Sequence, residues 1–142
     1  MASDHAGFAL KAEIVAHLRE RSLQVEDYGT DGPSPVDYPD LGLRVAEAVA
    51  QGRHDLGILV CGTGVGMSMA ANKVQGVRAA ACADCFTARA SRQHNDANVL
   101  CLGGRVVGSG LALDIVDAWL GVEFSGEERH RRRLDKIAAA EG

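Results

Sequence analysis

At 142 residues, with 46% hydrophobic and 24% charged residues, the chain has the size and composition of one water-soluble domain with a sizeable core (1–142). Its net charge of −4 argues against a surface that binds nucleic acid non-specifically. No apolar run approaches the ~20 residues of a membrane-crossing helix, and the N-terminus enters polar Ser3-Asp4-His5 with no leader-like segment, so a cytoplasmic protein is expected.

A very short first strand is expected before Asp4, because an amphipathic helix already begins near Phe8 and runs to Arg21 with Leu10, Ile14, Val15 and Leu18 on one face. Leu23–Val25 reads as a second strand, and Gly29–Pro39, rich in Gly, Pro and Asp, as a loop. Leu41–Gln51 is a helix stopped by Gly52, Asp55–Cys61 a strand, and Gly66–Lys73 a helix. Val77–Ala83 is a strand, Asp84–Gln93 a helix and Val99–Leu102 a strand. The apolar-faced Gly108–Leu120 and the strongly charged Glu127–Ala140 are the last helices. Short, continuously apolar strands alternating with helices predict an α/β fold: a five-stranded parallel sheet covered on both faces, with right-handed crossovers.

In such sheets ligands bind outside the carboxyl ends of the strands. Asp4-His5, the run Cys61-Gly62-Thr63-Gly64-Val65-Gly66, Asp84 and Gly103-Gly104-Arg105 fall there, and His94-Asn95-Asp96, at a helix end, are grouped with that edge. Three alternating glycines are more than a plain strand-to-helix turn needs, and they allow backbone N–H groups to close on an anion. The dinucleotide fingerprint fails in spacing, since Met67 stands where its last glycine belongs, although Asp84 lies about 20 residues on, where a ribose ligand would be. A P-loop is excluded because no Gly-Lys-Ser/Thr follows.

Cys61 reads either as a small core residue at a strand end or as a thiol poised beside N–H dipoles. The four cysteines, Cys61, Cys82, Cys85 and Cys101, sit mostly in apolar runs, as reduced thiols do, and Cys82-Ala-Asp-Cys85 matches a redox or zinc C-x-x-C without a second pair. His5 and His94 read as capped histidines or as acid–base groups. Glu127–Arg133 is a charge run whose Arg129 and Arg133, spaced i,i+4, share a helix face suited to a phosphate.

Asp4-His-Ala-Gly-Phe8, Asp37-Tyr-Pro39, Cys61–Gly66, Ala71-Asn-Lys73, Ser91-Arg-Gln-His-Asn-Asp96 and Gly104-Arg-Val-Val-Gly108 together resemble the type B ribose-5-phosphate isomerase family, which includes galactose-6-phosphate isomerase subunits. The resemblance spans essentially the whole chain. It implies a flavodoxin-like three-layer sandwich and homodimers or tetramers with shared active sites, the C-terminal helix packing on a partner. It also implies no metal or organic cofactor and no nucleic-acid or membrane partner. The substrate would be a phosphorylated sugar, ribose 5-phosphate and ribulose 5-phosphate interconverting through an enediolate. Carried over by motif, Cys61 is similar to the base, Gly62, Gly64, Gly66 and Thr63 to the cradle of the enediolate oxygen, and Asp4 with His94 to the ring-opening pair. Tyr38 and Asn95 resemble sugar ligands, and His5, Arg105, Arg129 and Arg133 the phosphate clamp, beside which His130 lies. One subclass replaces the cysteine base by a glutamate just after the third loop glycine. Met67 at that position, with Cys61 kept, resembles the cysteine subclass. Allose 6-phosphate, galactose 6-phosphate or a four-carbon sugar phosphate are alternative substrates of the same chemistry. A nucleotide-binding module and a non-catalytic partner subunit are alternatives of other kinds.

Overall fold

In the computed structural model, which describes Met1–Gly142, strands β2 (Gly57–Cys61) and β4 (Val99–Gly103) are buried along their whole length. That double-sided burial is why both read as unbroken apolar runs rather than alternating ones. They pair in parallel in the centre of a sheet of order β1-β2-β4-β3, with β1 (Ala2–Ser3) and β3 (Ala79–Ala81) at the edges.

Alternate residues of the central strands feed two cores. Ile58, Val60, Leu100 and Leu102 face α1 (Phe8–Glu20), α4 (Cys85–Asn95) and α5 (Ser109–Leu120), against Ile14, Ala88, Ile115 and the fully buried Trp119. Leu59, Cys61, Val99 and Cys101 face α2 (Tyr38–Ala50) and α3 (Val65–Ala71), against Val45, Val49 and Met67. The result is a three-layer α/β sandwich. The last helix, α6 (Glu128–Ala140), leans on α4 of its own chain and buries only His130.

The sheet has four strands, not the five expected. Leu23–Val25 forms none, and the chain instead comes alongside β1 over the next few residues. Tyr28 donates to the Met1 carbonyl at 2.9 Å, and Thr30 to the Ser3 carbonyl at 2.8 Å. Gly29, at φ +104°, turns the backbone out of the pleat between those two bonds, so no regular ladder develops. β3 is also shorter than the expected Val77–Ala83. The Arg78 N–H is taken by the Asn98 side chain at 2.7 Å, and the strand starts one residue later. α2 begins at Tyr38, before the expected Leu41, because Pro39 suits a first turn where no N–H acceptor is needed.

Candidate active site

At the carboxyl edge of the sheet Ser3 pairs with Val60 and Cys61 with Gly103, so Asp4, Cys61 and the Gly103–Arg105 turn emerge side by side. Asp4 is 6% exposed, and its Oδ1 accepts the Gly7 N–H at 3.0 Å, which anchors the start of α1 to the strand end. Cys61 is 4% exposed and accepts the Gly64 N–H on Sγ at 3.1 Å. Gly64 makes that bond in the left-handed region, at φ +82°, a conformation that a side chain penalises. The N–H groups of Gly62, Thr63 and Gly66 donate to no atom of the chain, whereas Val65 donates to Thr63 Oγ1 at 3.3 Å. The loop is therefore a set of open donors around a sulfur. With only seven residues in α3, these loop amides rather than a long helix dipole supply the positive potential.

Two side chains close on the loop, and His5 follows Asp4 beside it. The Tyr38 ring lies against Gly66 so tightly that a Cβ there would sit 2.6 Å from Cζ. The Arg105 guanidinium lies over Gly62, and its own N–H donates to the Gly62 carbonyl at 3.0 Å. His5 accepts the Val36 N–H on Nδ1 at 3.2 Å, which leaves Nε2 as the proton-bearing nitrogen of the neutral ring. Asp4, His5, Tyr38, Cys61, Thr63, the loop glycines and Arg105 thus form one group.

His94 and Asn95 do not join it, contrary to their sequence-based grouping with this edge. α4 runs antiparallel to the strands, so its last turn lies at their amino edge. There Arg78, just before β3, donates from Nε to the Asp96 carbonyl at 2.8 Å and pairs with the Asp96 carboxylate at 3.2 Å. Both His94 and Asn95 are exposed. Beside them α6 presents Arg129, Arg133 and His130, the His94 and His130 rings lying 4.6 Å apart. One chain therefore carries two separate groups of candidate residues. Sequence reasoning missed the positioning roles of Arg78 and Ser125, for which the sequence carries no signal, and named Gly7 and Asp96 only as members of motifs.

Two other sequence readings close here. Asp84 does not wait for a ribose. Its carboxylate caps α4, accepting the Thr87 N–H at 2.6 Å and the Thr87 hydroxyl at 2.8 Å, and those bonds hold it below the usual carboxylate range. Burial pushes the Cys82 thiol up, the opposite of a redox-active C-x-x-C cysteine, and all four cysteines are free.

The model of the family described as Ribose/Galactose Isomerase matches residues 1–137. The chain belongs to the ribose/galactose isomerase family. It is 56% identical over 138 residues to ribose-5-phosphate isomerase B of Escherichia coli, covering 97% of this chain and 92% of the relative. The structure of ribose-5-phosphate isomerase B of Clostridium thermocellum superposes with a TM-score of 0.97 at 58% identity, covering 99% of this chain and 94% of that one. D-erythrulose-4-phosphate isomerase of Pectobacterium atrosepticum is 46% identical over 126 residues, covering 87% of this chain and 82% of its own. This member of the family is a sugar-phosphate aldose–ketose isomerase. No helix is long and apolar enough to cross a membrane.

Proposed function

We propose that residues 1–142 form a single isomerase domain that interconverts ribose 5-phosphate and ribulose 5-phosphate through an enediolate, with Cys61 as the base. The observation that carries this is a buried sulfur at a strand end, holding the Gly64 N–H, in a loop whose Gly62, Thr63 and Gly66 N–H groups donate to no atom of the chain. A proton on carbon beside a carbonyl is only weakly acidic, so a base works there only if the oxygen's growing charge is met at once. Cys61 Sγ takes the C2 proton and returns it to C1, while the Gly62, Thr63 and Gly66 N–H groups take the charge on oxygen. Each key donor of this kind contributes about 3–4 kcal/mol in comparable sites. Tyr38 contacts the sugar, and His5 and Arg105 hold the phosphate, which orients the reacting carbons.

The residues at the amino edge enter through a second copy of the chain. In this reading His94 and Asn95, with Arg129 and Arg133 on α6, complete the partner's site. Asp4 of one chain and His94 of the other then form the pair that opens the furanose ring. Two groups of complementary chemistry at opposite edges of one chain support a dimer with two shared sites.

The test is Cys61→Ala. A fall of about 10²–10⁴-fold in kcat on ribose 5-phosphate is expected for loss of a proton-transfer group, and equal rates for variant and parent overturn the mechanism. The 46% identity to a D-erythrulose-4-phosphate isomerase favours one second reading, the same chemistry on a four-carbon substrate. A panel of kcat/KM values over four-, five- and six-carbon sugar phosphates decides between them.

A further inference from the structure

We propose that the Ser125–His130 pair is a positioning device for His94, holding its exposed ring in the orientation that ring opening requires. His94 sits at the end of a helix and is open to solvent, a poor setting for an acid–base group that must meet a substrate oxygen accurately. His130 supplies the missing restraint. It is the one buried residue of α6, at 5% exposure, and its ring lies 4.6 Å from that of His94 with an interplanar angle of 31°. Its own rotation is stopped by Ser125, whose Oγ lies 2.7 Å from His130 Nδ1. The Ser125 hydroxyl oxygen also accepts the Glu127 N–H at 3.2 Å, and its proton is free to go to Nδ1. Donation of that proton to Nδ1 goes with the Nε2–H tautomer of His130. Ser125 is in turn tied to α4, its N–H donating to the Gln93 carbonyl at 2.9 Å, one residue before His94. The loop, α6 and α4 thus close a small circuit: Gln93 backbone, Ser125, His130, His94.

The charges around His130 are compatible with a neutral spacer. It is faced by His94 from α4, by Arg129 and Arg133 from α6, and by Glu127 at the start of that helix. Burial, then the charge of His94, then the two arginines, lower its affinity for a proton, and Glu127 opposes them only in part.

This inference rests on the reading of His94 as a ring-opening group, and the experiment separates the two. Ribose 5-phosphate is cyclic and must be opened, whereas ribulose 5-phosphate is acyclic because its 5-hydroxyl carries the phosphate. Exchange of the C1 hydrogen of ribulose 5-phosphate with deuterium from solvent needs only the enediolate step. In His130→Ala, turnover of ribose 5-phosphate is expected to fall about 10–100-fold, with exchange into ribulose 5-phosphate within about threefold of the parent. His130→Phe, which keeps a flat ring against His94, is expected to recover most of the loss, and Ser125→Ala to lie between. The His94 ring, followed by side-chain NMR couplings in the substrate-free protein, should keep one rotamer in the parent and in His130→Phe, and should average over rotamers in His130→Ala. Unchanged His94 signals in His130→Ala overturn the proposal, as does an equal fall of exchange and turnover. Altered His94 signals in His130→Ala, together with a parent protein that turns over no sugar phosphate, would uphold the positioning and sink the function.

Discussion

Gly64 and Gly66, two residues apart in the same loop, should respond to alanine in opposite ways. At Gly64 the backbone has φ +82°, and a left-handed conformation costs a non-glycine residue about 1–2 kcal/mol. The added Cβ would also lie 3.1 Å from the Leu102 carbonyl carbon and 3.3 Å from that of Cys101, backbone of a central strand that cannot give way. Overpacking of this kind costs about 1–3 kcal/mol, so Gly64→Ala should lose roughly 2–5 kcal/mol. At about 3 °C per kcal/mol for a chain of this size, Tm should fall by roughly 6–15 °C. At Gly66 the backbone is helical, and alanine is favoured there by up to about 1 kcal/mol. The clash is severe, 2.6 Å from Tyr38 Cζ, but Tyr38 is 37% exposed and its ring can swing into solvent. Gly66→Ala should therefore keep Tm within about 3 °C of the parent while displacing Tyr38 from the site. Loss of one sugar contact of about 1 kcal/mol would raise KM for ribose 5-phosphate roughly fivefold. Thermal melts and steady-state kinetics on the two variants check both halves. A Gly64→Ala protein that melts with the parent, or a Gly66→Ala protein that loses stability but keeps its KM, would refute the reasoning.

Three further outcomes are expected. On the proposed dimer with shared sites, equal mixing of Cys61→Ala and His94→Ala subunits, unfolded and refolded together, should restore about a quarter of parental activity, since half the pairs would be mixed and each would have one intact site; recovery of none would count against the shared site. Lys11 is buried and donates to Asp27 Oδ1 at 2.7 Å and to the Thr30 carbonyl at 2.5 Å. Burial works to raise the Asp27 carboxyl, but the Lys11 and Gly29 hydrogen bonds and the Lys11 charge outweigh it and hold it below its ordinary value. A depressed carboxyl stabilises the fold above its unfolded pKa of about 4, and the effect fades as pH falls through the lower folded value. Asp27→Asn should therefore be less stable than the parent by about 1–3 kcal/mol in denaturant melts at pH 7, with the gap narrowing below pH 4. Lastly, Cys85 should react with a thiol reagent faster than Cys82 and Cys101, both buried and both raised by that burial, and mass spectrometry of the labelled peptides reads the order.

Much of the site was legible because its signals are local. Gly57–Gly66 combines an apolar run that must be a buried strand with glycines that only a close backbone approach requires, and the structure places open N–H donors there. Asp84 shows the limit of such reading. Its distance from the loop allowed a ribose ligand, but two bonds to Thr87 engage the carboxylate as a cap, and a sequence does not display competing partners. The fifth strand failed for a similar reason. Leu23–Val25 has strand composition, but pairing falls to the segment that reaches β1, and Gly29 interrupts it.

Apart from Leu23–Val25, the sequence by itself determined the order of strands and helices, the two-sided burial of the sheet and the chemistry available in each motif, because these follow from short-range periodicity and residue type. Only the tertiary structure decided where that chemistry goes. A helix returning antiparallel to its strand carries His94 and Asn95 to the edge opposite Cys61, although their spacing along the chain gives no sign of it. The contact of His94 with His130, 36 positions later, exists because α6 folds back on α4. Direction of travel and long-range packing are set by the whole sheet and its two cores, and no local stretch of sequence encodes them.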